Sequence, residues 1–258
     1  MRDLLLGFKD LKLAEAPVIL HASLKSMGEV DGGAGTVVNA LSAVFNTILM
    51  PTFTYKTMLI PRVGPDENGI SYGANQDLNL MAEFFTPRMP ADRLMGVIAE
   101  TLRRYPRAER SSHPILSFAG LNAGKYLSTQ TDSTPLEPLA ALADANGWVI
   151  LIGVDHTVNT SIHYAEKLAG RKQFVRWALT PRGVVECPGF PGCSAGFNAI
   201  QDDLGKYTRQ AQVGEAVVKA VPLKMLFRVV VSRLKKDVGA LLCQQQDCER
   251  CNQMRAII

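Results

Sequence analysis

Residues 147–166, GWVILIGVDHTVNTSIHYAE, constrain the fold of this chain more than any other stretch. Trp148–Ile152 is a continuous apolar run of the kind that fills the middle of a sheet covered on both faces. Gly153 ends the run, and Asp155, His156, Thr160, Ser161, His163 and Glu166 follow closely. Strand ends that open into titratable and hydroxyl side chains are where α/β enzymes place their chemistry. The stretch therefore predicts a central strand and a site at its C-terminal end.

The rest of the pattern alternates strands and helices. Pro17–Ala22 reads as a short buried strand, and Thr36–Phe45 as a helix with Val37, Val38, Leu41, Val44 and Phe45 on one stripe. Thr47–Phe53 is the next apolar strand, with Pro51 suggesting an exposed end. Thr54–Glu83, rich in Gly, Asn, Asp and Pro, reads as a long functional loop. Helices are predicted over Pro90–Arg104, over Leu136–Ala145, and from an Asn159 N-cap through Leu168. Phe174–Leu179 and Gly183–Cys187 read as a hairpin around Pro181-Arg182-Gly183, and Pro222–Leu242 as a helix or a helix followed by a strand. The predicted class is α/β, a three-layer-like sandwich with a mixed central sheet, residues 1–258 forming one domain.

Composition excludes several classes. With 47% hydrophobic and 20% charged residues the chain is neither disordered nor fibrous. The net charge of +4 comes without a long basic block, Arg228–Lys236 being the nearest approach, so no nucleic-acid partner is expected. The N-terminus interrupts its apolar residues with Lys9, Asp10, Lys12 and Glu15, and no window reaches the length of a membrane span. The expectation is a cytoplasmic enzyme that does not use a membrane.

Two segments carry candidate chemistry. Ser23-Leu24-Lys25-Ser26-Met27-Gly28 follows the first strand, and Gly32–Thr36 precedes the first amphipathic helix. Helix N-termini and glycine-rich turns present free N–H groups to phosphates, with Ser23, Ser26 and Thr36 adding hydroxyls and Lys25 a point charge. The pattern is neither a Walker A loop nor a dinucleotide fingerprint, and a plain flexible turn is the competing reading. In the second segment His163 and Glu166, three apart on a helix, share a face, so the carboxylate can orient an imidazole that must accept a proton. Two histidines seven apart also invite a metal reading, but the spacing is not H-E-x-x-H. The stretch Arg110–Phe118, with His113 held extended by Pro114, is a weaker third feature.

Five cysteines, an odd number, argue against a secreted disulfide framework. Cys243, Cys248 and Cys251 form a C-x4-C-x2-C run on a Cys-rich tail spanning 243–258, and Cys187 and Cys193 lie together upstream. Two readings stay open: a structural zinc site with Cys193 or Cys187 as fourth ligand, or a reduced, partly buried thiol cluster.

Taken together, HASLKSMGEVDGGAGTVVNAL, ILMPTFTY, RSSHPILSFAGLNA and GWVILIGVDHTVNTSIHYAE occur in this order and resemble the aminoglycoside 3-N-acetyltransferase family. The resemblance implies that family's own α/β fold and direct acetyl transfer from acetyl-CoA to an amine, without an acetyl-enzyme. It implies that Ser23, Leu24, Ser26 and Gly28 hold the diphosphate arm, within a coenzyme stretch that also includes Lys25, Met27 and Thr36. It further implies that Ser117 and Phe118 line the pantetheine path and that His163 is the base, oriented by Glu166. His113 and His156 are expected to position substrate or coenzyme, and Asp155 and Glu83 to meet the cationic acceptor, with Asp66, Glu67 and Asp77 as further acidic candidates. Two departures bear on the acceptor: Asp155 stands where the family often has Gly, and Thr86 where it has an acidic residue. An acyltransferase for a different small amine, or a non-catalytic coenzyme-binding relative, are the competing functions.

Overall fold

The computed structural model describes residues 1–13, 15–73 and 76–258. In chain order the first half runs α1 (Arg2–Asp10), β1 (Val18–Ala22), α2 (Gly33–Val44), β2 (Ile48–Pro51), β3 (Met58–Leu59), α3 (Gln76–Leu80), α4 (Gly96–Arg103), β4 (Glu109–Arg110), β5 (Phe118–Leu121) and α5 (Gly124–Leu127). It continues with α6 (Glu137–Asp144), β6 (Trp148–Ile152), α7 (Thr160–Leu168), β7 (Phe174–Thr180), β8 (Gly183–Phe190), α8 (Gln201–Leu204), β9 (Arg209–Val213), β10 (Ala216–Pro222), α9 (Leu223–Lys236) and α10 (Glu249–Ala256).

Seven strands form the main sheet in the order β4-β5-β2-β1-β6-β10-β9. β2, β1 and β6 are parallel, Ala22 standing opposite Ile152, while the flanking strands run antiparallel. The period of two along each strand sends alternate side chains to opposite faces. Val18, Leu20, Ile150 and Ile152 join the core beneath α1, α2 and α4, whereas Ile19, Val149 and Leu151 join the one beneath α6, α7 and α9. The result is the predicted sandwich with a mixed sheet. A second sheet, β3-β7-β8, contains the predicted hairpin.

Several boundaries differ from the sequence expectation for identifiable reasons. Pro51 is buried at the cleft end of a central strand, opposite Phe118, because β5 covers the edge that the proline was expected to expose. The helix expected from Pro90 begins only at Gly96. Asp92 caps a 3-10 turn over Arg93–Met95, and Gly96, at φ +81°, turns the backbone between the two. The first amphipathic helix starts at Gly33, three residues before Thr36. Pro222–Leu242 holds one helix and no following strand. Within Thr54–Glu83 lie β3, α3 and a 3-10 turn; Ala74 and Asn75 of that loop are outside the described residues. This segment is pinned by the Asn68 side chain, which bonds both backbone groups of Val175, and by Arg176, which donates to the carbonyls of Asn68 and Gly69. The Cys-rich tail is packed: Cys243, Cys251 and Met254 belong to the core beneath α7 and α9.

Gly153 ties β6 to the loop after β1. Its φ is +60°, and a Cβ there would lie 1.7 Å from Ser26 Oγ. Gly153→Ala should therefore lower stability by about 2–3 kcal/mol through combined strain and overpacking. Denaturant unfolding checks this, and a midpoint equal to that of the unmodified protein would contradict it.

Candidate active site

The three parallel strands end side by side, and a cleft of about 620 Å³ opens at their C-terminal ends. This is where open α/β sheets bind ligands. His21, Ala22 and Ser23 reach it from β1, Met50 and Pro51 from β2, and Val154 from just beyond β6. Leu24 and Lys25 continue the first wall; Thr157, Val158, Thr160 and His163 form another. Tyr55, Phe190, Gly192 and Arg250 close the far side.

His163 projects from the first turn of α7, which Asn159 caps by accepting from the Ser161 N–H at 3.1 Å. Its Nδ1 lies 2.9 Å from Glu166 Oε2, and its ring meets Phe197 edge-on with centroids 4.7 Å apart. Glu166 is only 2% exposed. Its other oxygen accepts from Arg171 Nη1 at 2.5 Å, and Arg171 Nη2 donates to the carbonyls of Val238 and Ala240. A buried carboxylate must be paired, and this one has a partner on each oxygen. Because Nδ1 is committed to Glu166, Nε2 is left as the basic nitrogen.

The other three histidines are held neutral. Burial, reinforced by the nearby His156, pushes His21 down to about 3, and its Nε2 has no hydrogen-bond partner among the described residues. Burial lowers His113 to about 4, with Asp132 opposing, and its Nδ1 accepts from the N–H groups of Ile115 and Leu116. Burial and then the Lys219 charge lower His156 to about 4, with Asp155 opposing.

Of the residues proposed for the coenzyme from sequence, Ser23, Leu24 and Lys25 face the cleft. Ser26 turns inward to donate to the Ser23 carbonyl at 2.8 Å, and Met27 is buried. Gly28 needs its φ of +74° and the space taken by Glu215, so its glycine is explained without a ligand. Thr36 sits on the second turn of α2, away from the cleft wall. Ser117 and Phe118 are fully buried. The Ser117 hydroxyl donates to the Thr52 carbonyl, and Phe118 supports the cleft residue Phe53 from behind with ring centroids 5.6 Å apart. Arg110 explains that whole segment, reaching the Thr52 carbonyl at 2.7 Å and the Pro87 carbonyl at 3.3 Å while holding Ser117.

The proposed acceptor residues are placed differently from the expectation. Asp155 caps its own turn and accepts from Asn198. Partial burial pushes its carboxyl up, but the bonds from Thr157 and Asn198 outweigh this and hold it low. It lines a shallow neighbouring hollow with Lys219, while His156 is buried behind it. Glu83 pairs with Lys56 at the surface, 2.9 Å away, and Glu67 with Lys172. His113 staples the turn at Pro114 and does not reach the cleft. Among the described residues no carboxylate lines the cleft, and its cations are Lys25 and Arg250 besides the histidines. Leu94, Val97 and Val158, 79%, 51% and 45% exposed, form an apolar rim.

Sequence reasoning missed Tyr55, Arg250, Arg171 and this rim. Only Arg171 left a signal, since a buried helix carboxylate requires a cation close by. The cysteines divide cleanly. The sulfurs of Cys193, Cys243, Cys248 and Cys251 all lie within 4.8 Å of one another, whereas Cys187 is buried apart, its thiol pushed up to about 12 by that burial.

The fold and the site together define an α/β enzyme with a buried, carboxylate-oriented histidine at the switch point of a mixed sheet. The family model for aminoglycoside 3-N-acetyltransferase matches residues 19–235, and the chain belongs to that family. The chain is 32% identical over 163 residues, 58% of its length, to the SPbeta prophage-derived aminoglycoside N(3')-acetyltransferase-like protein YokD of Bacillus subtilis. It is 32% identical over 254 residues to an aminoglycoside N(3)-acetyltransferase III from Salmonella sp, covering 86% of each chain. The matched region spans 57% of the length of YokD and 52% of that of aminoglycoside N(3)-acetyltransferase IV from Salmonella sp. The fold matches the apoenzyme of aminoglycoside acetyltransferase AAC(3)-IVa with a TM-score of 0.78 at 23% identity, over 99% of this chain and 96% of that one. Solved structures of the same fold include AAC(3)-IVa in complex with a gentamicin and AAC-IIIb with CoASH.

Two consequences are measurable. Replacing Arg171 by Met leaves Glu166 buried and half-paired, which should cost about 3–5 kcal/mol in denaturant unfolding; an unchanged midpoint would contradict the pairing. The three neutral histidines set the acid limb of stability. Their folded pKa values lie below the ordinary 6.5, so between the two the unfolded chain binds protons that the folded chain refuses. Stability should be complete above about pH 6.5 and fall by several kcal/mol toward about pH 4. Unfolding curves across that range test the sign.

Proposed function

We propose that this chain transfers the acetyl group of acetyl-CoA directly to an amine of an aminoglycoside, at the 3-N position, with His163 as general base. The observation that carries this reading is His163 in the cleft wall with Nδ1 held by a doubly paired, buried Glu166. As the amine nitrogen bonds to the thioester carbonyl carbon, its proton passes to His163 Nε2, and Glu166 stabilises the imidazolium. The tetrahedral intermediate collapses, the C–S bond breaks, and the coenzyme thiolate leaves and is reprotonated. Lys25 and the backbone of Ser23–Lys25 suit the coenzyme's phosphates, and the rim of Leu94, Val97 and Val158 suits its pantetheine arm. Relatives of this fold solved with CoASH and with a gentamicin support both halves of the reading. The transfer needs no metal, and four thiolates around an ion would leave no position open to substrate.

A second reading, acetylation of a less cationic amine, is favoured by one observation: no carboxylate among the described residues lines the cleft. A polycation is normally met by several. Thiol release from acetyl-CoA across a panel of 2-deoxystreptamine aminoglycosides and simple amines separates the two. Release with the former supports aminoglycoside acetylation, and release only with other amines supports the second reading. Coenzyme binding with no release on any amine would leave a non-catalytic relative.

His163→Ala should lower kcat by ~10²–10⁴ while leaving coenzyme affinity nearly unchanged. Glu166→Gln should also be impaired, because the imidazolium loses its counter-charge. Near-normal turnover in His163→Ala would remove it as the base.

A further inference from the structure

Cys193 stands on the loop after β8, fifty residues before Cys243, and the fold brings it onto the C-x4-C-x2-C segment. All four sulfurs lie within 4.8 Å of one another, close to the ~3.8 Å edge of a zinc–tetrathiolate tetrahedron. Among the described residues no other group of three or more histidine, cysteine or carboxylate ligands is gathered in this way. We propose that Cys193, Cys243, Cys248 and Cys251 bind one structural Zn²⁺, and that this clasp builds the far wall of the cleft.

The surroundings suit a thiolate site. The N–H groups of Ala195 and Cys243 donate to Cys193 Sγ and Cys251 Sγ, each at 3.4 Å, the outer contacts that orient metal-bound thiolates. Cys248 is the N-cap residue of α10 and Cys251 falls in its first turn, where the helix dipole favours negative charge. Arg255 donates to the Cys243 carbonyl, placing a cation beside a centre that four thiolates and Zn²⁺ would leave with two net negative charges. Four protein thiolates close the coordination sphere, which makes the ion structural, and soft ligands in a tetrahedral set select zinc over magnesium or calcium.

The clasp is joined to the cleft on both of its arms. Gly192 and Ser194, the neighbours of Cys193, line the cleft, and so does Arg250, the neighbour of Cys251. Arg250 Nη1 also donates to the Gly192 carbonyl at 2.9 Å, closing the same ring of contacts. The segment leading into Cys243 supplies the carbonyls of Val238 and Ala240 that hold Arg171 behind Glu166. Metal binding displaces the thiol protons and exchanges no electrons, so it needs no further reactant.

The full chain purified without added metal should contain about one equivalent of zinc by elemental analysis. Replacing zinc by Co²⁺ should produce the intense ligand-field bands of tetrahedral thiolate-bound cobalt. Cys248→Ser, whose side chain is only half-buried, should lose most of the metal and raise KM for the amine or for acetyl-CoA by about tenfold or more. In this variant kcat should fall less than in His163→Ala. Less than about a tenth of an equivalent of zinc in folded, active protein would overturn the proposal. So would iron in its place, or the cysteines recovered as disulfides. Because the metal content of the unmodified chain is measured independently of any amine, the site can stand or fall apart from the assigned activity.

Discussion

The Glu166 carboxylate is the group that the rest of the site depends on. Removing a carboxylate from water costs several kcal/mol unless both oxygens find partners, and here His163 takes one and Arg171 the other. That requirement binds together parts of the chain that are far apart in sequence. α7 must place residues 163 and 166 on one face, the turn after α7 must bring Arg171 back against the helix, and residues 238–240 must satisfy the remaining guanidinium nitrogen. An imidazole held this way gains rigidity as well as charge stabilisation. Phe197 packs edge-on against the ring and the helix cap fixes its backbone, so Nε2 keeps one direction.

The sheet supplies the place where that nitrogen is useful. Three parallel strands ending together create a rim of chain exits, and the exits of β1 and β6 are locked to each other by Gly153 against Ser26. Antiparallel strands on either flank widen the sheet without adding crossover helices that would block the cleft. The cleft is chemically one-sided, with two cations and an apolar rim and no carboxylate among the described residues. Such a surface is complementary to an anionic coenzyme with a flexible, weakly polar arm. The acceptor must then be oriented by hydroxyls, backbone carbonyls and the imidazole, since no fixed negative charge lies in the wall.

The elements legible from sequence are those whose local pattern coincides with their tertiary role. β6 is a continuous apolar run because it is buried on both faces, and α7 shows its cap and its His-Glu spacing directly. β9 and β10 were not anticipated: Arg209–Val213 and Ala216–Pro222 alternate polar and apolar residues at the sheet margin, a signal weakened by Lys and Gln. The Arg110–Phe118 segment misleads for a different reason. A serine that donates to a buried carbonyl and a serine that faces a ligand are the same letter, and only packing separates them. Leu94 and Val97 invert the usual rule, since an apolar stripe that reads as core stands exposed at the cleft mouth.

Arg171 and Arg250 show the limit of spacing arguments most clearly. Arg171 lies five residues beyond Glu166, past the end of α7, so no helical periodicity links them. Arg250 reaches the cleft only because the tail folds back against the loop after β8, an arrangement that depends on residues fifty positions apart. The C-terminal segment therefore has two separable duties: residues 238–240 hold the cation behind the base, and residues 243–251 hold the wall in front of it. Both act by satisfying charges and carbonyls that the fold would otherwise bury alone. A tail of short, polar, weakly amphipathic sequence is kept ordered by those contacts, since its own hydrophobic content would not suffice.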